Sequence, residues 1–102
     1  MLRVIRKSDR TVPILCCDCC NAWIDDAELG AAIYKRTQAE GEVQDVLLAH
    51  KGTCHDAIEA RLGGDTHWQE LTKYLEDVTH NAGYDLASQV RRRQLEDDYG
   101  TL

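Results

Sequence analysis

The chain has 102 residues, of which 43% are apolar and 29% are charged, and its net charge is −6. This length allows a single domain with a thin core, and the composition is that of a globular protein rather than a fibre or a disordered tail. The acidic balance argues against general affinity for nucleic acid, because such affinity depends on neutralising phosphates.

No apolar run in the sequence approaches the roughly 18 residues that are needed to span a bilayer. The basic residues near the N-terminus are not followed by an apolar block, so we expect no secretory signal and a cytoplasmic location. Cytoplasmic thiols stay reduced, and clustered cysteines there bind a metal more often than they form disulfides. The odd number of cysteines, five, also fits poorly with a disulfide framework.

The first fifteen residues are predicted to form a hairpin, with strands over 2–6 and 12–15 and a polar turn between them. Pro13 restricts the second strand to a sheet edge or to its first residues. Four basic side chains and one acidic side chain give this segment a charge of +3. A solvated hairpin is the simpler interpretation. Contact with nucleic-acid phosphates is the alternative, through Arg3, Arg6, Lys7 and Arg10, although strand alternation puts Arg3 on the face opposite Arg6.

The middle of the chain is predicted to be β-rich. Residues 22–30 are expected to be irregular or a single turn, and they are followed by strands over 31–36 and 43–50 with a loop at 37–42. A helix over 25–40 competes with the first of these strands, because Ala, Glu and Lys favour helices.

Three helices are predicted in the second half. Thr53 is the expected N-cap of a helix over 54–62, which the glycines at 63–64 end. A capping box of Thr66 and Gln69 begins a helix over 66–80, and residues 85–98 form a weaker helix. On the last helix we expect Leu86, Val90 and either Gln94 or Leu95 to face inward. The helix over 66–80 carries an apolar stripe, which should pack on the N-terminal half or, where uncovered, bind a partner: Trp68, Leu71, Leu75 and Val78.

The cysteine cluster offers two Cys-x-x-Cys pairs, Cys16 with Cys19 or Cys17 with Cys20. The residue after the second cysteine of a zinc knuckle usually has a positive φ, which Asn tolerates better than Cys does. Asn21 follows the 17/20 pair, whereas a cysteine follows the other pair. We therefore predict Cys17 and Cys20 as metal ligands and Cys16 and Cys19 as spectators, with a role of the latter two in a second metal site or in redox sensing as the less favoured alternative.

The other two ligands are predicted to be His50 and Cys54. His50 ends a predicted strand, and Cys54 lies in a first helical turn, where free amides and the helix dipole favour a thiolate. Gly52 allows the backbone to bend between them. His55 is a poorer ligand, because adjacent helical side chains diverge by about 100°. The result is a closed, tetrahedral Cys3His site, which is typical of structural Zn²⁺.

Other interpretations of the cysteines stay open. They can be small buried hydrophobic residues, ligands of another metal or a thioredoxin-like redox pair. The redox interpretation is less favoured, because no βαβ pattern surrounds the pair.

Two segments carry a resemblance to known zinc proteins. Residues 17–24, Cys-Asp-Cys-Cys-Asn-Ala-Trp-Ile, and residues 48–56, Leu-Ala-His-Lys-Gly-Thr-Cys-His-Asp, resemble the "Cys-Asp-x-Cys-Gly … His-Lys-Gly-x-Cys" pattern of bacterial and phage proteins of the treble-clef and zinc-ribbon group. The resemblance covers about residues 12–62. It implies a knuckle, a β-hairpin and a helix that supplies the last ligand, but no single function, because the group includes nucleic-acid binders, protein adaptors and some nucleases.

The sequence therefore predicts one α+β domain over 1–102, with a β-rich, treble-clef-like zinc unit at 1–62 and a helical extension at 63–102. The favoured function is a non-enzymatic zinc protein that acts as a protein-interaction module, with an unidentified protein partner ahead of nucleic acid. A homodimer through the C-terminal helices is a further option. The alternatives are a nucleic-acid-binding regulatory protein and a metal-dependent nuclease, which would need an open metal position near His55 and Asp56. His67 and His80 are expected to be capping or surface residues at the two ends of the helix over 66–80.

Overall fold

The fold is described from a computed structural model, which covers residues 1–37 and 39–100, with the backbone alone for 96–100. The predicted α+β class is confirmed, because the described residues form two small β-sheets and three helices. Within the described residues, no helix has the length and apolar character to cross a membrane. The elements in chain order are β1 (Leu2–Lys7), β2 (Arg10–Leu15), a 3-10 turn (Ala27–Leu29), β3 (Gly30–Lys35), β4 (Leu47–His50), α1 (Thr53–Arg61), β5 (Thr66–Glu70), α2 (Leu71–Asn81) and α3 (Leu86–Gly100).

The N-terminal hairpin forms as predicted, with a tighter turn. β1 and β2 pair over their whole length, and only Ser8 and Asp9 remain in the loop. Both residues have positive φ values, 50° and 63°. Two residues with positive φ form the turn that best matches the natural twist of a two-stranded ribbon. Among the described residues this sheet consists of β1 and β2, so Pro13 lies on an edge strand.

The core surrounds β3, the central strand of a three-stranded antiparallel sheet in the order β4-β3-β5. Ala31, Ala32 and Ile33 of this strand are fully buried. Backbone groups of a buried strand need hydrogen-bond partners on both sides, and β4 and β5 supply them. Ile58 of α1 and Leu71 of α2 belong to the same buried cluster and are almost completely inaccessible.

The predicted helix over 66–80 is wrong in its first five residues. Residues 66–70 form β5, and α2 begins only at Leu71 without a side-chain cap. The apolar stripe is therefore divided: Trp68 lies on the strand, Leu71 is fully buried, and Val78 at the far end of α2 is 43% exposed. The open edge of β3 explains the difference, since pairing with it satisfies more backbone groups than one extra helical turn would.

Several boundaries also differ from the predictions. β4 begins at Leu47 rather than at residue 43, and α1 is preceded by Gly52, so Thr53 is helical and is not a cap. α3 forms, but Leu86, Val90 and Leu95 are 56%, 41% and 50% exposed, and Gln94 is exposed as well, so none of them faces a core. The core ends at α2, and the molecule is elongated, with extents of 57 × 36 × 19 Å.

Candidate metal centre

Four side chains from three separate places in the chain converge on one point. Cys17 and Cys20 come from the turn after β2, His50 from the end of β4 and Cys54 from the first turn of α1. One ligand atom from each of them lies within 4.8 Å of all the others, so the group can hold a metal ion. These are the four predicted ligands. The two predicted spectators are not among the four: Cys16 is buried, and Cys19 is exposed, with its thiol in hydrogen-bond contact with Cys54.

The turn that carries the first two ligands has the geometry of a zinc knuckle. The Cys17 thiol accepts hydrogen bonds from the backbone N–H groups of Cys19 at 3.4 Å and Cys20 at 3.5 Å. Asn21 has a φ of 65°, which is the positive value expected after the Cys17/Cys20 pair. Its N–H donates to the Cys17 carbonyl at 2.9 Å. The positive φ closes the turn and brings the Cys17 and Cys20 sulfur atoms to the same side.

Asp18 fastens this turn to β4. Its backbone N–H donates to the Leu48 carbonyl at 2.7 Å, and its carboxylate accepts the Leu48 N–H at 2.7 Å. The carboxylate also lies 3.2 Å from the Met1 amino group. Leu48 is two residues before His50, so these bonds fix the spacing between the two halves of the site. Sequence reasoning missed Asp18. The signal was present, since Asp18 is the one carboxylate inside the cysteine cluster and Asp side chains commonly bond to nearby backbone.

The imidazole of His50 is oriented by the backbone on its far side. Its Nε2 lies 3.2 Å from the Trp23 carbonyl, which can only accept, so Nε2 carries the hydrogen and donates it. Nδ1 is then left with a free lone pair, and it lies 3.5 Å from the Cys20 sulfur. Metal-binding histidines usually have this arrangement, in which the second ring nitrogen donates to a carbonyl or carboxylate.

The last ligand is positioned by a bend before α1. Gly52 has a φ of 94°, which the absence of a side chain allows, and it accepts from the backbone N–H of Asp56 at 3.0 Å. Cys54 then points to the cluster, whereas His55 points away from it. The His55 ring bonds to the Glu59 carboxylate at 2.9 Å and packs edge-on against Trp68 at 5.0 Å.

The separation of the Cys20 sulfur from the His50 ring nitrogen fits a tetrahedral metal. Bonds of about 2.3 Å to sulfur and about 2.0 Å to nitrogen give sulfur–nitrogen edges of roughly 3.5 Å in a tetrahedron. The Cys20 sulfur and His50 Nδ1 are separated by 3.5 Å. Three sulfurs and one imidazole are also a donor set that suits a borderline-soft cation such as Zn²⁺.

The thiols are not equivalent in acidity. Burial raises the pKa of Cys17, but hydrogen bonds from backbone amides outweigh it and lower the pKa to about 6. Burial also raises the pKa of Cys54, and its hydrogen bonds to the neighbouring thiols and the negative charge of Cys17 raise it further, to about 12. Burial, and after it the bonds to the neighbouring thiols, therefore outweigh the free amides and the dipole of the helix start in setting the pKa of Cys54. A cation between the sulfurs removes the repulsion from the charge of Cys17.

The remaining predicted site residues are elsewhere. Asp56 is exposed on α1, and its neighbour His55 is engaged by Glu59, so these two residues do not form a second cluster. His67 lies on β5 rather than at a helix end, and His80 is exposed in the last turn of α2. The basic residues of the hairpin lie on β1 and β2, away from the four ligands.

Comparisons with known proteins give no relative: no family model, no curated protein and no solved structure matches the chain. The resemblance to treble-clef and zinc-ribbon proteins therefore stays a prediction.

Proposed function

We propose that Cys17, Cys20, His50 and Cys54 bind one Zn²⁺ as a structural centre, and that the chain is a non-enzymatic protein-interaction module. The convergence of four protein ligands on one point carries the first part of this proposal. Structural zinc sites are closed by four protein ligands, whereas catalytic sites keep a position for water or substrate.

The place of the group in the fold supports a structural role. The ligands join the turn after β2, the end of β4 and the start of α1, which are otherwise held together by a thin core. That core contains three alanines and a cysteine among its nine buried members. A structural Zn²⁺ contributes about 10–16 kcal/mol of apparent binding free energy to small zinc folds, which is more than a core of this kind supplies.

Metal content tests this part of the proposal. Protein purified without chelators should contain about one equivalent of zinc by elemental analysis. The Cys54→Ser variant should lose it, whereas Cys19→Ser, which removes an exposed thiol that bonds to Cys54 but is not one of the four, should retain it. Equal zinc content in the two variants, or the absence of metal from the wild-type protein, would contradict a centre built from these ligands.

An apolar surface on the hairpin supports the second part. Residues that face each other across an antiparallel pair lie on the same side, so the register defines an apolar face: Leu2, Val4, Pro13 and Leu15. Leu2 is 82% exposed and Val4 is 64% exposed. Beside them lies a groove of about 720 Å³ that reaches Ile24 and, on α2, Leu75. Contiguous exposed apolar surface of this kind is typical of protein-binding sites.

Paired variants test the interaction. Val4→Asp places a charge on the apolar face, and Val43→Asp places the same charge on a valine that is 89% exposed in the loop before β4. Proteins that cross-link to the wild-type chain should be lost with Val4→Asp and kept with Val43→Asp, while both variants retain zinc. Identical sets of cross-linked proteins for the two variants would contradict an interaction through this face and would leave the metal centre untouched.

A further inference from the structure

The opposite side of the hairpin carries basic side chains beside three apolar ones, of which one is buried. The register places Arg3 and Lys7 of β1 on the same side as Arg10 of β2, because Lys7 pairs directly with Arg10. Trp23 pairs with Cys16, which follows β2 in the same alternation, so its indole lies on this side as well. We call Arg3, Lys7, Arg10 and Trp23 the basic face.

The cations of the basic face are not neutralised by the protein. Arg6, on the other side, forms an ion pair with Asp9 at 3.3 Å. In the part of the chain that the structure describes, neither Arg3, Lys7 nor Arg10 forms an ion pair, although acidic residues outnumber basic ones by 18 to 12. The net negative charge of the chain repels a polyanion at long range. A polyanion that binds here must therefore be held by direct contacts with the cations of the basic face.

Trp23 gives the basic face an aromatic platform. The side chain is 39% exposed, and the Lys7 ammonium lies 5.6 Å from the centroid of its ring. An exposed indole held among cations is the combination by which proteins bind single-stranded nucleic acid. Bases stack on the aromatic ring, and the phosphates contact the cations.

We propose that the basic face binds single-stranded nucleic acid. One base stacks on Trp23, while Arg3, Lys7 and Arg10 contact the phosphates on either side of it. Arg3 and Lys7 are separated by roughly 13 Å along an extended strand, so the face spans a short stretch of a few nucleotides. A base in a duplex is stacked on its neighbours and paired with the opposite strand. Neither face of that base is free to stack on Trp23, so the basic face should prefer a single strand. The proposed protein interaction uses the apolar face, although the groove beside that face is also lined by Arg3 and Trp23.

Fluorescence anisotropy with a labelled 12-nucleotide oligothymidine tests the proposal. The full-length wild-type protein should bind at low salt, with affinity that falls as salt rises. Arg10→Gln should weaken binding and reduce the slope of log affinity against log salt by about 0.7, the value for one lost phosphate contact on a single strand. Arg6→Gln is the matched control, because it removes the same charge from the same hairpin on the opposite face, and it should change neither quantity.

The aromatic part of the proposal has its own measurement. In a Trp68→Phe background Trp23 is the only remaining tryptophan, and its fluorescence should be quenched by the oligonucleotide. Trp23→Leu keeps an apolar cover over the hairpin and should weaken binding between about 5- and 100-fold. Circular dichroism and zinc content confirm that each variant is folded. The proposal is overturned by absence of binding in low salt, by equal effects of Arg6→Gln and Arg10→Gln, or by tighter binding of the matching duplex.

Discussion

Asp18 allows a test of the metal centre that leaves all four ligands in place. Its carboxylate accepts the Leu48 N–H at 2.7 Å, and its side chain is only 15% exposed. Asp18→Ala removes this charge-assisted bond, which is worth about 1.5–3 kcal/mol. Every 1.4 kcal/mol is a factor of ten, so zinc affinity should fall about 10- to 100-fold. Losses of this size are typical when a residue that orients metal ligands is removed.

The assay is competition for Zn²⁺ against a chromogenic chelator at neutral pH. Asp18→Asn keeps an acceptor oxygen and should lose less affinity than Asp18→Ala. Asp25→Ala is the matched control, since this exposed carboxylate forms no hydrogen bond or ion pair with the described residues, and its removal changes the charge equally. Asp18→Ala with the affinity of the wild-type protein would refute the idea that the knuckle is held in place through β4.

Three further outcomes are expected. Zn²⁺ binding near pH 7 should release at least one proton, because the Cys54 thiol, with a pKa of about 12, is protonated there, whereas Cys17, with a pKa of about 6, is already mostly a thiolate. The affinity for Zn²⁺ should therefore rise with pH. Calorimetry in buffers of different ionisation enthalpy counts the released protons. Ile58→Ala removes a side chain that is 1% exposed and should lower the free energy of unfolding by about 2–5 kcal/mol in urea titrations at saturating zinc; a loss below about 1 kcal/mol would contradict its place in the core. Gly30→Ala puts a methyl group 2.6 Å from Leu71 Cδ2 and should cost about 1–3 kcal/mol in the same titration, whereas an unchanged midpoint would show that Leu71 moves aside freely.

The metal group was predictable because its determinants are local. The positive φ after a knuckle favours Asn21 over a cysteine, and that single rule selects Cys17 and Cys20 from the four candidates. The bend at Gly52 and the divergence of adjacent helical side chains select Cys54 over His55 in the same way. Each of these rules involves a few consecutive residues. The contact between the two halves of the group is not local, because it depends on the hydrogen bonds between Asp18 and Leu48.

The strand β5 was not predictable on such grounds. Thr66 and Gln69 fit a helical capping box, and no local feature opposes it. The segment is a strand because β3 has a second edge whose backbone groups need hydrogen-bond partners, and the paired residues lie 31 to 39 positions apart in the sequence. The same non-local pairing explains why Trp68 lies on a strand and not on the predicted helical stripe.

The metal centre and the hairpin are joined through backbone hydrogen bonds, so the two faces of the hairpin should depend on the metal centre and not the reverse. Ile24 donates to the Leu15 carbonyl, and Cys17 donates to the Ala22 carbonyl, so the knuckle continues the hairpin directly. The carbonyl that orients His50 belongs to Trp23, the aromatic residue of the basic face. Loss of the metal should therefore disturb both faces of the hairpin, whereas changes on either face should leave metal binding intact. A protein whose partner contacted the metal itself would show the opposite dependence, with surface variants altering zinc affinity.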